Sequence, residues 1–144
     1  MTDVAIKKRS GAFVNSYLIL KQNGKVLLQL RKNTGYKDEW WCLPAGHVED
    51  GEGATEAMAR EAQEELGIAV SGLKVVHVMH RQSNRFNIDI FFTCESWEGE
   101  IQNVEAHKCE KLEFFSLDAL PENIVDYNLA VLKNSAFYSE LGWS

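Results

Sequence analysis

Glu61, Glu64 and Glu65 stand at i, i+3 and i+4 of a Pro-free segment rich in Ala, Glu, Met, Gln and Arg. On a helix that spacing brings three carboxylates to one face. Each like-charge pair at i,i+4 costs an isolated helix roughly 0.2 to 0.5 kcal/mol, a penalty that one bound cation would reverse. Hard oxygen ligands suit Mg²⁺ or Mn²⁺, and Zn²⁺ is disfavoured because no His or Cys joins the cluster. Ala54, Ala57 and Met58 lie close to Glu61 and Glu65 around the helix axis. The carboxylates therefore border the apolar stripe, whereas a purely solvating run would lie opposite it. The competing reading is a solvated face on which Arg60 pairs with Glu64 at i+4 for a few tenths of a kcal/mol.

The elements that must position these groups follow from composition and punctuation. Residues 53–66 predict a helix, with Gly67 at the C-cap. Residues 13–20 and 25–31 predict two antiparallel strands around Asn23-Gly24, a strong signal for a tight hairpin turn. Residues 33–39 are polar and include Gly35, so they predict a loop, and Leu43-Pro44-Ala45-Gly46 predicts a turn. Further strands are expected at 73–80, at 87–94, where alternation is poor, and at 111–115, with a closing helix over about 123–138. Strands, one acidic helix, strands again and a last helix suggest an α/β sandwich with a mixed sheet.

The 144 residues, 45% hydrophobic and 25% charged, fit one domain that closes its own core. Residues 1–10 hold Asp3 and the run Lys7-Lys8-Arg9 without a useful apolar stretch, which does not read as a signal peptide. No stretch approaches a membrane-spanning length. Cys42, Cys94 and Cys109 are odd in number and lack metal-ligand spacing, so a reducing cytoplasm is the expected setting. A net charge of -6 argues against coating nucleic acid. It leaves polyphosphates open as ligands, provided that divalent cations lie between the two negative partners. His47, His77, His80 and His107 show no pair spacing for a metal and read as ordinary polar or packed residues.

Gly46, five residues, Glu52, seven residues, then Arg60-Glu61-Ala62-Gln63-Glu64-Glu65-Leu66-Gly67-Ile68 resembles the Nudix box. All seven fixed identities match over residues 46–68, and Ala62 is smaller than the aliphatic residue more usual there. The resemblance implies the Nudix fold, an α/β/α sandwich around a central mixed sheet, and a Mg²⁺-dependent hydrolase, with Mn²⁺ as substitute. It implies Glu61 and Glu65 as principal metal ligands, Glu64 as a further ligand or proton acceptor, and a backbone carbonyl of Ala45 or Gly46 as another ligand. Arg60 would orient a glutamate and Glu52 would close the loop onto the helix. For Glu52 the alternative is a charge favoured by the helix macrodipole. Family members often dimerise, so a homodimer is compatible, although the sequence does not read out an oligomeric state.

A second segment, Asn103-Val104-Glu105-Ala106-His107-Lys108-Cys109, resembles the Asn-x-Glu-Pro-x-Lys-Cys stretch of Nudix nucleoside triphosphate pyrophosphohydrolases, with Ala106 in place of Pro. It implies Glu105 on a loop over the metal site, as extra ligand or base, against the alternative of an exposed loop charge. The proton acceptor is Glu64 or Glu105, with Glu61 less favoured. Trp40, Trp41 and Phe86 are available to stack on a base. By a weak resemblance Asn123 and Asp126 fall where related enzymes place base-reading groups. The implied substrate is a nucleoside triphosphate, normal or oxidised, cut to monophosphate and pyrophosphate. ADP-ribose or a nucleotide sugar is the rival substrate, and a non-catalytic nucleotide-sensing domain is the reading from a different class.

Overall fold

Helix α1 (Ala54–Leu66) forms where the composition predicts it. The Glu56 side chain accepts a hydrogen bond from the Gly53 N–H at 2.8 Å, satisfying one orphan donor of the first turn. At the other end Gly67 takes φ 70°, a left-handed conformation open to glycine, and its N–H donates to the Gln63 carbonyl. The computed structural model describes residue 9 and residues 11–143. The reading of residues 1–10 therefore lies, Arg9 apart, outside the described residues.

Eleven strands surround this helix and a second one. In chain order they are β1 (Phe13–Leu18), β2 (Lys21–Gln22), β3 (Lys25–Arg31), β4 (Trp41–Cys42), β5 (Ala45–His47) and, after α1, β6 (Ala69–Ser71). Then follow β7 (Lys74–Gln82), β8 (Phe86–Thr93), β9 (Ser96–Glu98), β10 (Cys109–Ser116), helix α2 (Asp126–Leu132) and β11 (Tyr138–Leu141). The central sheet has the order β11-β7-β8-β1-β5. It is mixed, because β1 runs parallel to β8 and β11 to β7 while the other pairs are antiparallel. A second, antiparallel sheet has the order β10-β3-β2, with β4 also on β3, and β6 pairs with β9.

Side-chain alternation along β1 and β3 divides the core in two. Leu18, Leu20 and Leu27 pack with Met58, Ala62 and Leu66 of α1. Tyr17, Ile19, Val26 and Leu28 pack with Tyr127 and Val131 of α2. The two helices thus cover opposite faces, which is the α/β/α arrangement expected from the sequence.

Three expectations need correction. The Asn23-Gly24 turn is present, with φ 54° and 75°, but it joins β3 to the short β2, not to β1. The chain changes sheets at Ile19-Leu20, where Ile19 N–H still bonds Phe92 while the Leu20 carbonyl already accepts from Leu27. The closing helix stops at Leu132, and Tyr138 opens a strand on β7 instead. The turn expected at Ala45-Gly46 is a strand on β1. The poor alternation near residue 87 also has a cause: Asn87 and Asp89 are buried on the same side as Phe91.

Leu66 is fully buried between α1 and the sheets. Leu66→Ala is expected to cost about 2 to 5 kcal/mol of unfolding free energy, read from urea titrations.

Candidate metal and nucleotide cleft

The loop before α1 and the carboxyl half of α1 meet beside the edge strand β5. Gly46 needs to be glycine there, because a Cβ on it would fall about 2 Å from the Glu61 carboxyl carbon. Glu61 thus lies against the β5 backbone. Arg60 holds the arrangement from outside. Its Nε and Nη2 donate to the two carboxylate oxygens of Glu52 at 3.1 and 2.7 Å, and Nη2 also donates to the His47 carbonyl at 3.1 Å. Its Nη1 donates to Glu61 at 2.9 Å and to Glu64 at 3.1 Å. Hydrogen bonds from Arg60 and from the Glu49 N–H pull the Glu52 carboxyl below its usual range. The same contacts, Glu52 foremost, fix the Arg60 charge more firmly still.

Glu65 has the opposite environment. Burial raises its pKa well above the ordinary carboxyl value, the Glu61 charge and a hydrogen bond with Glu61 raise it further, and the Glu105 charge adds to this. A backbone hydrogen bond from Ala45 works against these effects. One oxygen, Glu65 Oε1, is buried without a partner. A buried carboxylate oxygen without a donor, crowded by two other carboxylates, is what a cation site looks like before the cation binds. Glu61, Glu65 and Glu105 are all oxygen donors, so the set fits a hard divalent ion.

Not every residue read from the sequence joins this corner. Glu64 is half exposed and its carboxylate is turned to Arg60. Consistent with that, no group of three or more His, Cys, Asp or Glu side chains among the described residues stands close enough to hold a metal as the side chains lie. The expected trio on one face is therefore a pair, Glu61 and Glu65, with Glu105 across the gap.

A cleft of about 560 Å³ opens at this corner, and Ala45, Gly46, Arg60 and the four glutamates 61, 64, 65 and 105 line one side. The loop carrying Glu105 is pinned by Asn103 Nδ2, which donates to the Cys109 carbonyl at 2.8 Å. The opposite wall was not legible in the sequence. Arg31, Tyr36, Lys108 and Tyr127 stand there. Arg31 Nε donates to the Tyr36 carbonyl at 2.8 Å, and the Tyr36 and Tyr127 hydroxyls meet at 3.3 Å. Asp38 folds the loop that presents Tyr36, accepting from the Thr34 hydroxyl at 2.6 Å and the Gly35 N–H at 2.9 Å.

The expected base-contacting residues do not line the cleft. Trp41 is core, 7% exposed and edge-on to Phe115, because β4 turns it inward. Phe86 stacks on Trp143 at the far end of β8. Asn123 spends its amide on the Glu39 carbonyl at 2.7 Å, and the Asp126 carboxylate accepts from the Tyr127 N–H at 2.8 Å. Trp40 is 38% exposed under the Lys37 ammonium, outside the cleft. Of the residues missed, Lys108 alone had a signal, its place in the Asn103–Cys109 motif.

The family model for the NUDIX domain matches residues 13–134. The chain belongs to the Nudix family. An ADP-ribose pyrophosphatase of Methanocaldococcus jannaschii is 35% identical over 112 residues, covering 76% of this chain and 64% of that protein. The chain thus spans less than two thirds of that relative's length. An 8-oxo-dGTP diphosphatase of Escherichia coli is 26% identical over 71% of this chain and 80% of its own length. A crystal structure of a MutT NUDIX hydrolase from Burkholderia pseudomallei superposes with a TM-score of 0.81 and 26% identity, over 88% of this chain and all of that one.

The raised Glu65 pKa has a definite sign. The folded, metal-free chain favours the protonated form, so this group's contribution to stability is full below the ordinary carboxyl pKa and is lost as pH rises through the raised value. Glu65→Gln is therefore expected to be more stable than the parent in chelated neutral buffer, with the gap closing in acid. Adding Mg²⁺ should stabilise the parent alone, as read from urea titrations. Equal neutral stabilities, or equal responses to Mg²⁺, would remove the carboxylate-crowding account.

Proposed function

We propose that the domain is a Mg²⁺-dependent hydrolase, served also by Mn²⁺, that cleaves a phosphoanhydride bond of a nucleotide, with a nucleoside triphosphate, normal or oxidised, as the leading substrate. The observation that carries this reading is the partnerless buried oxygen of Glu65 beside Glu61 and Glu105, facing Arg31 and Lys108 across one cleft. A polyphosphate needs both walls, since an acidic one alone would repel it. The names of the Escherichia coli and Burkholderia relatives support the reading. The greater identity to the Methanocaldococcus jannaschii protein favours a second reading, ADP-ribose or a nucleotide sugar.

Glu61 and Glu65 would hold the ion, with Glu105 and a backbone carbonyl of Ala45 or Gly46 completing its ligands. When bound, the ion lowers the charge on the phosphoryl oxygens and the pKa of the attacking water. Arg60 keeps Glu61 aimed, and Glu52 ties Arg60 to the loop. The water oxygen attacks phosphorus, the P–O anhydride bond breaks toward the departing phosphate group, and a carboxylate takes the water's proton. Glu105 suits that last task better than Glu64, whose carboxylate is engaged by Arg60. Arg31 and Lys108 neutralise the departing phosphate. Three free thiols, at Cys42, Cys94 and Cys109, agree with a reducing compartment such as the cytoplasm.

Phosphate release over a panel of nucleoside triphosphates, oxidised dGTP, ADP-ribose and nucleotide sugars, with pyrophosphatase or phosphatase coupling, distinguishes the two substrate readings. Turnover of none of them, with Mg²⁺ or Mn²⁺, would leave a nucleotide-sensing domain as the better reading. Glu61→Gln and Glu65→Gln are each expected to lower kcat by roughly 10² or more. Glu105→Gln should lower it by about 10² if Glu105 takes the proton. Glu64→Gln is expected to do less than Glu105→Gln, and the reverse order would return the proton to Glu64.

A further inference from the structure

A polar network lies beneath the cleft floor that the phosphate chemistry does not use. Arg81 and Asp89 are 6% and 0% exposed, and Arg81 Nε and Nη2 donate to Asp89 Oδ2 and Oδ1 at 2.6 and 3.2 Å. A carboxylate paired in this way only accepts, so Asn15 must present its Nδ2 to Asp89 Oδ1, at 2.9 Å. A second contact fixes the same orientation, since Asn15 Nδ2 also lies 3.3 Å from Asn87 Oδ1. The Asn87 amide is itself oriented. Arg85 Nε donates to its Oδ1 at 3.1 Å, and its Nδ2 donates to the Arg85 carbonyl at 3.1 Å. Arginine offers no acceptor and a carbonyl no donor, so flipping either amide breaks the set.

The polarity of this network reaches the cleft through one bond. Asn15 Oδ1 is left to meet His47 Nδ1 at 2.8 Å, and an amide oxygen accepts. In the neutral ring the proton therefore sits on Nδ1 and the lone pair on Nε2. His47 is an exposed side chain lining the cleft next to Asn15, and its Nε2 has no hydrogen-bond partner among the described residues. A lone pair there repels phosphate oxygens, which have nothing to donate, and Mg²⁺ prefers oxygen ligands to imidazole. What it can take is an O–H or N–H.

We propose that His47 is a specificity residue whose Nε2 accepts a hydrogen bond from a donor on the nucleoside part of the substrate, a sugar hydroxyl or a base N–H. Asn15, Asp89 and Arg81 are positioning residues that set its tautomer. The substrate contact rests on the nucleotide reading above, whereas the tautomer does not.

Two-bond ¹H–¹⁵N correlation spectra of the labelled full chain in alkaline buffer read the tautomer directly. The expected result is the Nδ1–H form for His47, shifting toward Nε2–H in Asn15→Leu. An Nε2–H form in the parent chain overturns the proposal whatever the activity. Titration of ribo- and deoxyribonucleotides into the Mg²⁺-loaded chain tests the contact even without turnover. His47→Ala is expected to raise Kd about fivefold, the loss of one hydrogen bond, and to raise KM rather than lower kcat for any nucleotide turned over. A loss confined to ribonucleotides assigns the donor to the 2′-hydroxyl, and a loss that differs between bases assigns it to the base. An unchanged Kd for every nucleotide, or no binding of any, overturns the contact. Absence of turnover with binding intact counts against the hydrolase reading alone.

Discussion

The site depends on bringing carboxylates closer together than they would settle by themselves. Glu61 lies against Gly46, where no Cβ can stand, and the buried Glu65 lies next to it. Arg60 makes this arrangement tolerable, since one guanidinium reaches Glu52, Glu61, Glu64 and the His47 carbonyl. Its planar fork of donors can do this where a lysine ammonium could not. Arg60 is a quarter exposed, so its contacts with Glu49 and Glu64 are screened and weak, while the bonds to the less exposed Glu52 and Glu61 set the geometry. Glu65 lies beyond its reach. The fold therefore keeps one uncompensated carboxylate in a dry place, and stability is surrendered there for affinity toward a cation.

The sheets serve that corner. Because β5 is a short edge strand, its outer side remains open to the cleft, and its pairing with β1 places Asn15 opposite His47. The switch of the chain between sheets at Ile19-Leu20 lets β1 carry the cleft floor while β3, in the other sheet, supplies Arg31 to the wall. Each sheet thus gives the site something its partner lacks. The aromatic and basic wall relies on long-range contacts: Tyr36 from the 33–39 loop meets Tyr127 from α2, and the Arg81 guanidinium lies 3.8 Å from the Tyr127 ring centre.

These contacts explain what could be read in the sequence and what could not. The helix with its glutamates, the capping Gly67 and the spacing from Gly46 are local, and local spacing on a helix fixes which side chains are neighbours. Strand positions 25–31 were legible for the same reason. Pairing partners were not, because residues 13–20 carry the signal of a strand without the information that the chain leaves one sheet for the other midway. The closing helix was overextended because the apolar positions after Leu132 serve β11 at a period of two. Trp41 was misassigned because an aromatic next to a loop looks alike whether it faces substrate or core, and only the β3–β4 pairing decides it. Asn15, Asp89 and Arg81 gave no signal at all, since a buried polar network is formed by residues more than seventy positions apart in the chain.

Charge distribution connects these parts. The chain carries a net charge of -6, yet its cleft offers Arg31 and Lys108 opposite the glutamates. A polyanion entering without a cation would meet Glu61, Glu65 and Glu105 unshielded, and a cation entering alone would leave the basic wall unpaired. Each partner therefore improves the site for the other, and the coupling is reciprocal by thermodynamic necessity. Nothing needs to move for this to hold. The unpartnered oxygen of Glu65 and the donors of Arg31 and Lys108 are complementary to one composite ligand, a metal-bound polyphosphate, and to neither component separately.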